Sequence, residues 1–149
     1  MQQAPLPERF RVQAELAEIR VVRARLSEWL LRLGVSERTQ EELTLVLDEA
    51  ATNIARHAYP RSRYPEGPGP IDIELSSTSY ELVLRLWDDG IERCEEDCVG
   101  RPLGQPGESG MGMNLIRMLT SSVRFERTLN GRNLLELRKE LGGAAPESS

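Results

Sequence analysis

Glu49, Asn53 and His57 recur at intervals of four within residues 43–59, so on a helix their side chains fall along one line. A carboxylate can orient or deprotonate a nucleophile, an amide carbonyl is a hard oxygen ligand suited to Mg²⁺, and an imidazole can touch an anion or act as a base. Beside that line runs an apolar stripe, Leu43, Leu47, Ala50, Ile54 and Ala58, at spacings of three and four. The stripe is the core face of the helix and the polar line lies at its edge. On its own such a line is more often a solvated face than the wall of a site.

Two further patches bear on the choice. Asp88-Asp89-Gly90 ends an alternating apolar run abruptly, and Gly110-Met111-Gly112 leads straight into a second helical pattern. Asp-Gly pairs usually mean only a turn, and Gly-x-Gly usually means only pliant chain. Their order after the polar line gives them a joint reading. A helix start preceded by glycines offers unpaired backbone N–H groups and a positive dipole end to phosphate oxygens. An aspartate at a strand end can accept from an exocyclic amine such as that of adenine, and a glycine two residues on lets a base approach the backbone. Together the three patches describe a pocket for ATP and Mg²⁺.

The elements that must position these groups are legible in order. Residues 10–14 alternate as an edge strand would, and Leu16, Ile19, Val22, Leu26, Leu30 and Leu33 mark a helix of about five turns, closed by Gly34. Ser36 is placed to cap the next helix, which carries Glu49, Asn53, Arg56 and His57 and runs to Tyr59-Pro60. A Pro- and Gly-rich loop over 61–70 precedes two strands, Ile71, Ile73 and Leu75 facing one way in the first and Leu82, Leu84 and Leu86 in the second. Residues 91–109, rich in acids, Gly and Pro, read as a loop over a site. After the helix begun by Gly110, two strands flank Asn130-Gly131, a hairpin signal. This order predicts an α+β fold, a two-layer sandwich of a mostly antiparallel sheet with its helices on one face. The other sheet face would meet water or a partner, with Asp72, Glu74, Arg85, Arg124 and Glu136 at its alternate positions. We expect a flexible lead over 1–8, one ATP-binding domain over 9–140 and a disordered tail over 141–149.

Composition excludes other classes. With 19 basic against 24 acidic residues and a net charge of −5, the chain has no field for a phosphate backbone, so nucleic acid is not expected as a partner. Lys139 is the only lysine and sits in no P-loop or Schiff-base context. No apolar run approaches the ~20 residues of a membrane span and no secretory signal is present, which predicts a cytoplasmic protein. Cys94 and Cys98, without a nearby histidine, make a poor zinc site and read as reduced thiols. Trp29 and Trp87 read as core or interface anchors.

The sequence resembles the GHKL ATPases, and within them the bacterial anti-sigma-factor serine kinases. Residues 49–53 with His57-Ala58-Tyr59 look like that family's N box, Asp88-Asp89-Gly90 like its first glycine box, and residues 109–113 like its second; the resemblance covers roughly residues 9–140. It implies a Bergerat-type ATP-binding fold. It also implies that Asn53 ligands Mg²⁺, that Glu49 is the catalytic base, and that Asp88 reads the adenine amine. Gly90, Ser109, Gly110, Met111, Gly112 and Met113 would line the nucleotide, with Arg56 and His57 near its phosphate end. Kinases of this kind bind a sigma factor, transfer the γ-phosphate to a serine of a small antagonist protein, and commonly act as homodimers. The chain departs from the pattern at Glu92, where many members have a second glycine, and at Glu108, an acid beside the expected triphosphate. The second reading is therefore a nucleotide-gated binding module without phosphotransfer.

Overall fold

The computed structural model describes residues 6–93 and 110–142. Ser109, Glu108, Cys94 and Cys98, most of the expected loop over the site and most of the expected tail lie outside the described residues. The elements are strand β1 (Glu8–Gln13), a short 3-10 turn (Leu16–Glu18), helices α1 (Ile19–Leu33) and α2 (Glu37–His57), strands β2 (Pro70–Ser77) and β3 (Glu81–Asp88), helix α3 (Gly110–Leu119), and strands β4 (Ser122–Arg127) and β5 (Asn133–Glu140). The strands form one sheet of order β1-β2-β3-β5-β4, every neighbouring pair antiparallel. This is the α+β architecture that the order of patterns predicts.

Side-chain alternation decides which face is core. Ile71, Ile73 and Leu75 of β2, Leu82, Leu84 and Leu86 of β3 and Leu135 and Leu137 of β5 are all buried and share the face that the helices cover. Against them pack Val22, Leu26, Trp29 and Leu30 of α1, Leu43, Leu47, Ala50 and Ile54 of α2, and Met113 and Ile116 of α3. Trp29 is thus core. Trp87 faces the opposite side of the sheet, half-buried. Ser36 caps α2 as expected, its Oγ accepting from Thr39 N at 3.1 Å, and Gly34 ends α1 in the left-handed region at φ 72°.

Three boundaries differ from the expectation. Leu16 is not in α1 but in the 3-10 turn, and it is exposed. Ala14 N still donates to Gly69 O at 2.9 Å, which ties the chain to the sheet edge and delays the helix until Ile19. The loop after α2 ends at Gly69, because Pro70 pairs with Gln13 as the first residue of a strand, a position that needs no ladder donor. The expected Asn130-Gly131 hairpin is a five-residue connection over 128–132, with Gly131 at φ 83°.

The helix-free sheet face carries the alternate polar positions as an ion-pair lattice. Arg9 and Arg85 meet Glu74 at 2.7 and 2.9 Å, Arg85 and Arg124 meet Glu136 at 2.8 and 3.2 Å, and Arg11 and Arg132 meet Asp72 at 2.6 Å each. Glu74 and Glu136 are buried beneath these guanidinium groups. Burial alone would raise the Glu136 carboxyl, but hydrogen bonds from Arg124 and Arg85 and the charge of Arg138 hold it at about 2 instead of the ordinary 4.5. Glu74 and Asp72 are lowered by their arginines in the same way.

A carboxylate depressed on folding stabilises the fold above its unfolded value and loses that contribution as pH falls through the folded one. Urea unfolding followed by circular dichroism should therefore show stability declining from about pH 4.5 toward about pH 2. Glu136→Gln should flatten this decline and cost about 1–2 kcal/mol at neutral pH, a modest value because Arg124 stands half in solvent.

Candidate functional site

β3 ends at an inward-facing position held by a carboxylate. Asp88 continues the inner-face series Leu82, Leu84 and Leu86, is 1 % exposed, and stands opposite Asn133, itself 1 % exposed, in the β3–β5 ladder. A buried carboxylate needs donors, and it has them. Its Oδ1 accepts from Gly90 N at 2.9 Å, which closes the turn, and from Asn133 Nδ2 at 2.8 Å. Arg93 adds two nitrogens, one at 2.8 Å from Oδ2 and one at 3.3 Å from Oδ1. The Asn133 amide is itself fixed on both sides. Its Nδ2 also donates to Ile91 O at 2.8 Å, and its Oδ1 accepts from Arg127 at 3.0 Å.

Gly90 joins this corner to the end of α2. A Cβ on Gly90 would lie 2.2 Å from the Ala58 carbonyl oxygen, closer than any side chain can stand. Next to it Ile91 N donates to the same oxygen at 2.9 Å, satisfying a carbonyl that the end of α2 leaves open. The sequence pattern assigns Gly90 to close approach of a base, and the structure shows a nearer demand for glycine, the passage of α2's own backbone. Tyr59 locks the corner from the other side. Its hydroxyl donates to Pro70 O at 2.6 Å and accepts from Asp89 N at 2.8 Å. Burial pushes that phenol well above its ordinary value, so it stays a donor throughout the physiological range.

α2 brings the polar line to this corner. Glu49 and Asn53 are half-buried at the edge of the core stripe, whereas Arg56 and His57, in the last turn, are exposed. α2 packs against both α1 and α3. α3 begins at Gly110, so its first backbone N–H groups, from Gly110 to Met113, have no partner within the helix. The Met113 side chain is core, which leaves its main chain as the part that can meet a ligand. The far end of α3 is tied down by Lys139, whose Nζ donates to Leu119 O at 2.8 Å and to Glu42 of α2 at 2.6 Å. Met111 is placed by its main chain in this first turn, and Ser109 lies outside the described residues.

The structure thus joins Asp88, Gly90 and the end of the Glu49–Asn53 helix into one corner through Ala58. Among the described residues no cluster of three or more His, Cys, Asp or Glu could hold a metal ion by itself. Asn133, Arg127 and Arg93 belong to none of the sequence motifs, and Tyr59 enters only as the last residue of the N-box pattern, without a role for its hydroxyl. Asn133 had a signal, since it shares the inward parity of Leu135 and Leu137 and is, with Lys139 at the other end of β5, one of two polar residues in that series.

Gly90→Ala should destabilise the fold by about 1–3 kcal/mol or more through overpacking against Ala58. Urea unfolding without any nucleotide checks this, because a glycine needed only for ligand approach would tolerate the methyl group in the unliganded protein.

Comparison with known proteins follows the same outline. The family model described as histidine kinase-like ATPase domain matches residues 12–139. The serine/threonine-protein kinase BtrW of Bordetella bronchiseptica is 33% identical over 130 residues, covering 80% of this chain and 84% of that protein. The serine-protein kinase RsbW of Bacillus mycoides is 22% identical over 124 residues, covering 78% and 74%. Among solved structures, the RsbU and RsbW domains of a Mycobacterium tuberculosis protein superpose with a TM-score of 0.64 at 18% identity, covering 91% of this chain and 32% of that longer one. The SiaB–SiaC complex of Pseudomonas aeruginosa gives 0.59 at 15% identity, covering 93% and 91%. Those two likenesses establish the fold, and no helix among the described residues is long and apolar enough to cross a membrane. The chain belongs to the histidine kinase-like ATPase domain family, with serine/threonine-protein kinases among its relatives.

Proposed function

We propose that the chain is a cytoplasmic, ATP- and Mg²⁺-dependent serine kinase that binds a sigma factor and phosphorylates a small antagonist protein on serine. The observation that carries this reading is the corner itself. A buried carboxylate suited to an exocyclic amine is joined backbone to backbone to the end of the helix that bears Glu49 and Asn53. The names of the relatives, serine-protein kinases RsbW and BtrW, support the reaction class. The sigma factor and its antagonist enter from the resemblance to the anti-sigma-factor kinases, as does a homodimer.

In this reading each group has one task. Asp88 orients the base by accepting from its amine, and the first turn of α3, from Gly110 through Met111 and Gly112 to Met113, with Ser109 before it, offers N–H groups to the phosphates. Glu49 accepts the proton from the serine hydroxyl as its oxygen attacks the γ-phosphorus and the bond to the β,γ-bridging oxygen breaks. The serine gains the phosphoryl group and ADP leaves. Asn53 would supply one hard oxygen to Mg²⁺, which when bound would neutralise charge on the phosphates. A half-buried amide oxygen fits a cation whose other ligands come from the triphosphate and water. Arg56 and His57, exposed in the last turn of α2, flank the phosphate end.

The second reading, a nucleotide-gated binding module without transfer, is favoured by Glu92, where many members have a second glycine, and by Glu108, an acid beside the expected triphosphate. Incubation with labelled ATP, Mg²⁺ and an antagonist protein separates the two. The kinase reading predicts transfer to serine, a loss of about 100-fold or more in Glu49→Ala with ATP still bound, and weakened Mg²⁺-dependent binding in Asn53→Ala. ATP binding by the native protein with no transfer to any antagonist would leave the second reading in place.

A further inference from the structure

Asp88 is enclosed by donors. A carboxylate offers about four lone-pair positions. Four donors already surround this one: Gly90 N and Asn133 Nδ2 on Oδ1, and the two guanidinium nitrogens of Arg93 across both oxygens. Three of them converge on Oδ1, and Arg93 alone covers Oδ2; with Asp88 only 1 % exposed, an exocyclic amine has no open approach to either oxygen until a donor withdraws. Gly90 N cannot, because its residue is wedged against Ala58 O and the next residue is bonded to it. Asn133 is held in the β5 ladder, with Ile91 O and Arg127 fixing its amide. Arg93 follows the pinned residue Ile91 by two positions and belongs to no strand or helix.

Its position is as telling as its bonds. Phe125 of β4 is paired with Leu135, and Asp88 with Asn133, so all four lie on the inner face of the sheet. The Arg93 guanidinium stands over the Phe125 ring, 5.8 Å from its centre, and the side chain is only 10 % exposed. It therefore covers the stretch of sheet beside Asp88, where a flat base reading that carboxylate must lie.

We propose that Arg93 is the resident competitor of the nucleobase: it holds Oδ2 of Asp88 and must leave that oxygen before an exocyclic amine is read, so it sets both the affinity and the base preference of the site. This rests on the nucleotide-binding reading above. Adenine binding is then an exchange of donors at one carboxylate. Breaking the charge-assisted pair offsets most of what the new hydrogen bond from the amine contributes, whereas a purine without the amine, with nothing to donate to Oδ2, leaves that pair in place and does not bear its cost.

Calorimetric titration of the native chain, Arg93→Ala and Arg93→Gln with Mg²⁺-ATP and with the Mg²⁺ complex of purine riboside triphosphate, which lacks the 6-amino group, tests the exchange. Both variants should bind ATP about tenfold more tightly than the native chain, with a smaller increase for the analogue, so that discrimination between the two widens. The neutral Gln variant keeps the test decisive if the Ala variant does not fold. ATP affinity unchanged or weakened in the variants, or an unchanged ratio between the two ligands, overturns the role of Arg93 while leaving nucleotide binding intact. No binding of either nucleotide by the native chain or by the variants overturns both readings together.

Discussion

The carbonyl oxygen of Ala58 is the contact on which the site depends. A helix end leaves its last carbonyls unpaired, and here one of them receives Ile91 N while Gly90 presses against it without a side chain. The contact fixes the distance between the end of α2 and the end of β3. Glu49 and Asn53 can then stand in a constant relation to Asp88, although Asn53 and Asp88 are 35 positions apart in the chain. The Tyr59 hydroxyl, shared between Pro70 O and Asp89 N, braces the same junction against the start of β2. The polar line of α2 and the carboxylate that ends β3 are thus held together by main chain and one phenol, which loses less order to thermal motion than a chain of long side chains would.

The two faces of the sheet use the same chemistry to different ends. On the helix-free face, Glu74 and Glu136 lie under arginines whose outer edges are wet, so the arginines keep much of their hydration and the pairs contribute modestly. On the inner face, Asp88 and Arg93 are both withdrawn from water, where a donor without an acceptor or a carboxylate without donors is strongly destabilising. A ligand entering such a place succeeds only by replacing the bonds that it breaks. That requirement narrows the advantage of a base with a donor at the right position, because its new bond is set against the pair that it displaces.

The fold was legible because it rests on periodicities. The 3.6-residue stripe from Leu43 to Ala58 and the two-residue alternation through Leu82, Leu84 and Leu86 each place their residues on the side that the structure confirms. What was illegible rests on contacts between segments distant in sequence. Gly90 reads as a ligand-contact glycine until Ala58 O is seen beside it, and Tyr59 reads as the end of the N-box pattern before a proline until its hydroxyl is seen bridging two segments. Asn133 lies between these cases, since its parity with Leu135 marks it as an inward polar residue but not as the partner of Asp88. Leu16 fails for another reason. Its spacing fits the α1 stripe, yet the bond from Ala14 to Gly69 holds the chain to the sheet one turn too long for the helix to include it.

Reading of an adenine amine by the buried carboxylate of Asp88 is the step from which the proposed function follows. Equilibrium binding of Mg²⁺-ATP to the native chain and to Asp88→Asn, with circular dichroism to confirm that both are folded, tests it most directly. The predicted result is binding by the native chain and a loss of about tenfold or more in the variant, in which an amide offers fewer acceptor positions and brings donors of its own. Equal affinity of the folded variant and the native chain for Mg²⁺-ATP would contradict it.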